Sequence, residues 1–258
     1  MLPEFGPLDT IRAAAAAGFD GVGLWVEPAN WTAQLTRDCK TALADTGLDL
    51  IDIEVIWIKP DSDLNDHKAC LDIGAELGAQ HVLCVSSDPD MPATIAKLAA
   101  LCRHAEPSGM RVALEFGIFT EVKSLEQAMV ILDAVAHPVR ALLIDPIHVD
   151  RSETSAAQIA AVPRHLLPYA QFCDAPAARP DPADFSAVIT DAIDLREQCG
   201  EGSLPLADYL AALPANIPLS IELRSTALRD GHPDPVDRAR VTAAATRAWL
   251  AKHAQPAN

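Results

Sequence analysis

The sequence predicts one (β/α)8 barrel domain over residues 1–258, with its first strand short or missing. Three observations point there. Short β-branched or Leu-rich runs alternate with Ala-rich segments of helical period, as in a parallel sheet covered by helices. The length of 258 residues suits a single barrel and calls for no second domain. Helix-to-strand junctions repeatedly carry glycine (Gly18, Gly47, Gly78 and Gly109), where a left-handed helix cap is easiest.

Taken in order, strands are predicted at 22–26, 50–56, 81–85, 111–116, 141–145, 170–174 and 219–223. Helices are predicted at 8–17, 33–45, 65–77, 92–106, 125–135, 155–162, 204–213 and 235–253. Eight helices imply an eighth strand, which would have to lie in residues 1–5, where Pro3 and the short length leave little room. The Pro-rich stretch 175–184 and Gly200-Glu201-Gly202 read as loops after the seventh barrel strand. An open doubly wound sheet is the competing architecture, but it should carry a Gly-rich phosphate turn, and the chain has no GxGxxG or GxxxxGK.

Composition narrows the partners. Lys and Arg number 20 against 36 Asp and Glu, a net charge of -16 that repels phosphate backbones and anionic membrane surfaces. Nucleic acid and membranes are therefore poor partners. No apolar run approaches the roughly 20 residues of a membrane-spanning helix, and the first five residues are no signal peptide, so a cytoplasmic location is expected. Six scattered cysteines form no CxxC pair and suit small buried hydrophobes in a reducing compartment.

In a parallel barrel the reactive groups stand where strands end. That filter selects Glu54 on the third of eight barrel strands, Glu115 on the fifth, Asp145 on the sixth, Gln171 and Asp174 on the seventh and Glu222 on the eighth. An unpaired charge in an apolar strand costs several kcal/mol, and an ion pair with Arg111 or Arg224 would explain one such glutamate. Four oxygen-bearing side chains on four successive strands are better explained by one hard divalent cation, Mn2+ or Mg2+, with Co2+ or Zn2+ as alternatives.

The run Leu142-Leu143-Ile144-Asp145-Pro146-Ile147-His148 resembles the D-x-x-H segment of the xylose-isomerase-like TIM-barrel superfamily. The likeness covers most of the chain, and residues 13–25 are similar to its alanine-rich first helix and G-F-D-G-V strand entry, with Gly23 where a glutamate is common. The resemblance implies metal ligands Glu115, Asp145, Gln171 and Glu222, whose spacings of 30, 26 and 51 residues allow one βα unit per step. Gln171 stands where histidine is commoner, an exchange seen in some dehydratases of the superfamily.

The same resemblance implies a metal-dependent isomerase or epimerase of a sugar or sugar-like hydroxycarbonyl compound. Glu115 and Glu222 would be its acid/base pair and a metal-stabilised enediolate its intermediate. A dehydratase of the dehydroshikimate or inosose type is the alternative, favoured by Gln171 and His148, and a non-catalytic binding barrel is a third reading. His148 would act as general acid or base, or orient Asp145. Trp25, Glu54 and Trp57 would line a polyol site or fill the barrel. Arg224 would hold an anionic group. Arg151 would bind an oxyanion or pair with Asp150, and Asp174 would touch substrate or fix its loop. Abasic-site endonucleases share the fold, but 8 histidines and a strongly acidic balance disfavour that chemistry. Barrels of this superfamily often pair, which leaves a homo-oligomer open.

Overall fold

The structure, a computed structural model, describes residues 1–253. Seven strands follow in chain order: β1 (Gly21–Trp25), β2 (Asp49–Ile58), β3 (His81–Ser86), β4 (Arg111–Glu115), β5 (Arg140–Leu143), β6 (Ala170–Gln171) and β7 (Leu219–Ser220). β1 to β5 form one parallel sheet in that order, and β6 pairs in parallel with β7. The Gln171 N–H donates to the Ile144 carbonyl at 2.9 Å and joins β6 to the chain leaving β5. These strands fill the second to eighth positions of the expected barrel. Residues 1–5 make a turn, closed by Phe5 N–H on the Leu2 carbonyl at 3.1 Å, and no strand precedes β1 among the described residues. A cleft of about 850 Å³ therefore opens between β1 and β7.

The helices are α1 (Pro7–Ala16), α2 (Ala33–Thr46), α3 (Leu64–Leu77), α4 (Met91–Ala105), α5 (Leu125–Val135), α6 (Pro146–Arg151), α7 (Ala156–Ala160), α8 (Phe185–Asp194), α9 (Leu206–Ala212), α10 (Thr226–Gly231) and α11 (Pro235–His253). All eight predicted helices are present, with ends within two residues of expectation. The predicted junction glycines Gly18, Gly47, Gly78 and Gly109 take φ of 72, 69, 82 and 74°, the left-handed turn that reverses a helix into the next strand. No helix among the described residues is long and apolar enough to cross a membrane. All six cysteines are free and buried.

Three helices, α6, α8 and α10, were not expected. α8 begins at Asp184, whose side chain accepts the Ala187 N–H at 3.1 Å, and its buried face is Val188, Asp191 and Ala192. The carboxylate in that stripe hides the apolar period. Strands were expected over 170–174 and 219–223, but β6 and β7 keep two residues each. Past Phe172, whose N–H still donates to the Ser220 carbonyl, the backbone changes partner: Asp174 exchanges hydrogen bonds with Glu197 at 2.9 and 2.8 Å in an antiparallel bridge.

Two apolar layers position the site. The larger lies between sheet and helices and includes Ile53, Ile56, Val82, Leu98, Leu114 and Leu142. The smaller fills the barrel with Leu83, Val85, Ala113, Ala141, Leu143 and Tyr169. Side chains alternate along a strand, so the inward face of Ala113 continues to Glu115, that of Leu143 to Asp145 and that of Tyr169 to Gln171. The inner layer is thus apolar until the strands end, and there it turns acidic.

Candidate metal centre

Glu115 closes β4, buried at 3% exposure, and its Oε1 has no hydrogen-bond partner. Burial, then the charges of Glu222 and Asp145, raise its carboxyl well above the usual range. Asp145 follows β5 and caps α6, its Oδ1 accepting the Ile147 N–H at 3.1 Å. His148 lies one turn further along α6, with Nε2 3.8 Å from Asp145 Oδ2. Burial, then Arg196, push its pKa down to about 3, so the imidazole is neutral. Ligand-type atoms of Glu115, Asp145 and His148 all lie within 4.8 Å of one another. Gln171, fully buried at the end of β6, leaves both amide atoms without partners.

Glu222 follows β7, outside that three-residue cluster, and is linked to Asp145 through a residue that went unforeseen, Arg196. Its Nη1 donates to Asp145 Oδ2 at 2.6 Å and to the Glu222 carbonyl at 3.0 Å, and its Nη2 lies 3.3 Å from Glu222 Oε2. An arginine among the acidic side chains would undo an ion site if it satisfied them all. It reaches two of the four, leaving Glu115 Oε1 and the Gln171 amide oxygen without donors. Three carboxylates and one guanidinium carry a formal -2, which one divalent ion balances. The oxygen-rich donor set suits a hard cation, so these residues fit the implied metal. No sequence motif marked Arg196, which comes after the unforeseen α8.

The remaining predicted residues divide into two groups. Glu54 on β2, Trp25 and Arg224 all line the cleft beside Glu222. Burial, then Asp52 and Glu222, push the Glu54 carboxyl up to about 8. Trp25 is exposed and tied to Glu27 Oε1 at 3.0 Å, and the buried Arg224 Nε has no partner. Trp57 donates to Ser87 Oγ at 2.9 Å and meets Phe119 edge-on at 6.0 Å, and Phe119 lies 4.6 Å from the His148 ring. Phe119 thus joins Trp57 to His148, and no motif marked it.

Arg151 and Asp174, weighed as substrate contacts, belong to the scaffold. Arg151 is buried, with Nε and Nη2 on Asp191 at 2.9 and 3.0 Å, Nη1 on Asp150 at 2.7 Å and Nη2 also on the Pro176 carbonyl at 3.0 Å. All three of its nitrogens are thus engaged by the protein itself. Asp174 accepts the N–H groups of Ala175, Leu204 and Gly200 at 2.9, 3.0 and 3.0 Å and pins its loop. The predicted bland alternatives, ion pairing and loop fixing, describe both residues.

Asp52 was also missed, though it is fully buried on β2 with neither carboxylate oxygen paired. Burial pushes it up to about 7, against a lowering by the Tyr169 hydroxyl. A Cβ on Gly23 would collide with Asp52 Oδ1, so the carboxylate fills the space a side chain at 23 would need.

A barrel with a carboxylate ring at its strand tips defines a class of enzymes, and sequence comparison identifies the family: residues 11–253 match the family described as Xylose isomerase-like TIM barrel, and the chain belongs to it. Curated relatives are 3-dehydroshikimate dehydratases of Pseudomonas putida, 25% identical over 244 residues, and Pseudomonas aeruginosa, 28% identical over 247 residues. Each alignment covers 86% of this chain but 36% of the relative, so the chain spans about a third of their length. Among solved structures, the IOLI protein with a bound zinc atom superposes with a TM-score of 0.80 at 15% identity, covering 98% of this chain and 99% of that one. A D-allulose 3-epimerase from Methylomonas sp. in complex with D-allulose superposes with a TM-score of 0.70 at 15% identity, covering 96% and 91%. At such identities the two structures bear on the fold alone.

Proposed function

We propose that the chain is a metal-dependent lyase that removes a proton beside a carbonyl and expels the neighbouring hydroxyl as water. The observation that carries this reading is the convergence of Glu115, Asp145 and His148 within 4.8 Å beside buried, unpartnered oxygens of Glu115 and Gln171. Glu115, Asp145, Gln171 and Glu222 would hold one divalent ion, Mn2+ or Mg2+ by donor hardness, which supplies Lewis-acid polarisation of the substrate carbonyl.

The chain's own residues do the rest. Glu115 Oε1 accepts the α-proton, since it is buried and has no competing donor. The proton that Glu115 takes leaves with the hydroxyl as water, and the neutral His148 ring, beside Asp145 and Phe119, hydrogen-bonds the departing oxygen. Arg224, with an unpartnered Nε in the cleft, holds an anionic substituent such as a carboxylate. Trp57 and Phe119 give the substrate ring an apolar face and keep water out.

Two observations favour dehydration over isomerisation: the unpartnered amide of Gln171 at the end of β6, where a histidine is commoner, and the names of the two curated relatives. Isomerase or epimerase activity on a sugar-like substrate is the second reading. It is favoured by the placement of Glu115 on β4 and Glu222 beyond β7, two carboxylates from different walls that could serve opposite faces of a carbon.

The test incubates Mn2+-loaded protein with 3-dehydroshikimate and with a panel of keto-polyols in D2O. The lyase reading expects water loss and a new conjugated-enone or aromatic absorption, lowered at least about 1,000-fold in Glu115→Gln. Solvent deuterium at carbon without water loss would select the second reading. No turnover and no bound metal would defeat both.

A further inference from the structure

Arg196 is among the largest fully buried side chains of the protein, and it stands between β5 and β7. Its three nitrogens are all engaged: Nη1 with Asp145 Oδ2 and the Glu222 carbonyl, Nη2 with Glu222 Oε2, and Nε with the Ala192 carbonyl of α8 at 2.7 Å. The guanidinium thereby ties the tip of β5 to the tip of β7 across β6. Its charge matters as much as its reach. Glu115, Asp145 and Glu222 alone would place a formal -3 in a buried space, and without a counter-charge such a cluster disfavours folding. With Arg196 the cluster carries -2.

We propose that Arg196 is a positioning residue that sets the charge of the metal cage. It holds Asp145 and Glu222 together while no ion is present, and it leaves the deficit that a single divalent cation balances. The inference rests on the metal-site reading above. A residue that only filled space would stabilise the protein equally with and without metal, whereas a charge-setting residue stabilises the metal-free protein more.

The experiment is thermal unfolding of wild type, Arg196→Gln and Arg196→Lys, each in EDTA and in saturating Mn2+, with bound metal counted after dialysis. Glutamine removes the charge and keeps an amide donor, while lysine keeps the charge and loses the planar fork. The Mn2+-induced rise in Tm is expected to be at least about 3 °C larger in Arg196→Gln than in wild type, and in Arg196→Lys to match wild type within about 1 °C. An Arg196→Gln protein that folds only with Mn2+ is the extreme of the same result. Equal rises in wild type and Arg196→Gln overturn the proposal. If Arg196→Gln folds in neither buffer, the lysine variant decides: a rise matching wild type supports charge-setting, and a different one overturns it. A wild type that binds no metal and gains no stability fails the metal-site reading itself, a result distinct from either outcome for Arg196.

Discussion

The five strands β1 to β5 and the two strands β6 and β7 belong to one barrel but are held in different ways. The first group is a continuous sheet of long apolar runs: β3 is buried at all six positions, and Ile53, Ile56, Val82 and Leu114 are fully buried. The second group has two-residue strands, and its chain is fastened by buried ion pairs and hydrogen bonds from Arg151, Asp174, Asp191 and Arg196. The four proposed ligands straddle the boundary, with Glu115 and Asp145 on the apolar side and Gln171 and Glu222 on the polar side. A site assembled this way draws rigidity from the packed half and charge from the other. The open cleft between β1 and β7 lies next to the polar half.

Breaking the polar half should have the larger effect on stability. In Arg151→Met the carboxylate of Asp191 loses its bidentate partner under burial, and a loss of about 3–5 kcal/mol is expected by denaturant unfolding. A loss under 1 kcal/mol would mean that these ion pairs do not hold that half together. Trimming the apolar half by one methyl group should cost less. Ile56→Val in β2 should lose about 0.5–1.5 kcal/mol and leave Mn2+ binding unchanged, as titration calorimetry would read. If the valine variant loses metal affinity, the two halves are more tightly coupled than their packing suggests.

The same division explains what could be read from the sequence. In the apolar half the period of the residues announces the structure, and predicted strands and observed strands nearly coincide, as at 81–85 for β3 and 111–116 for β4. Seven strand positions and eight helices were legible, as was the weakness of residues 1–5 as a strand. The polar half hid its elements because its buried groups are charged. Asp191 broke the apolar stripe of α8, and Arg196, just beyond that helix, had no feature to separate it from a surface arginine. Arg151 and Asp174 sat where substrate contacts are expected, and their partners Asp191, Leu204 and Gly200 are 26 to 40 residues away along the chain. Local sequence cannot tell a residue that reaches for substrate from one that reaches for a distant loop.

Glu115, Asp145, Gln171 and Glu222, from four consecutive strand ends, are proposed to hold one cation. Crystals soaked in Mn2+ and measured at the manganese absorption edge test it most directly. One anomalous peak is expected, within about 2.0–2.3 Å of oxygens from Glu115, Asp145, Gln171 and Glu222. A peak elsewhere, or none while Arg196 keeps both its carboxylates, would rule out a shared metal site.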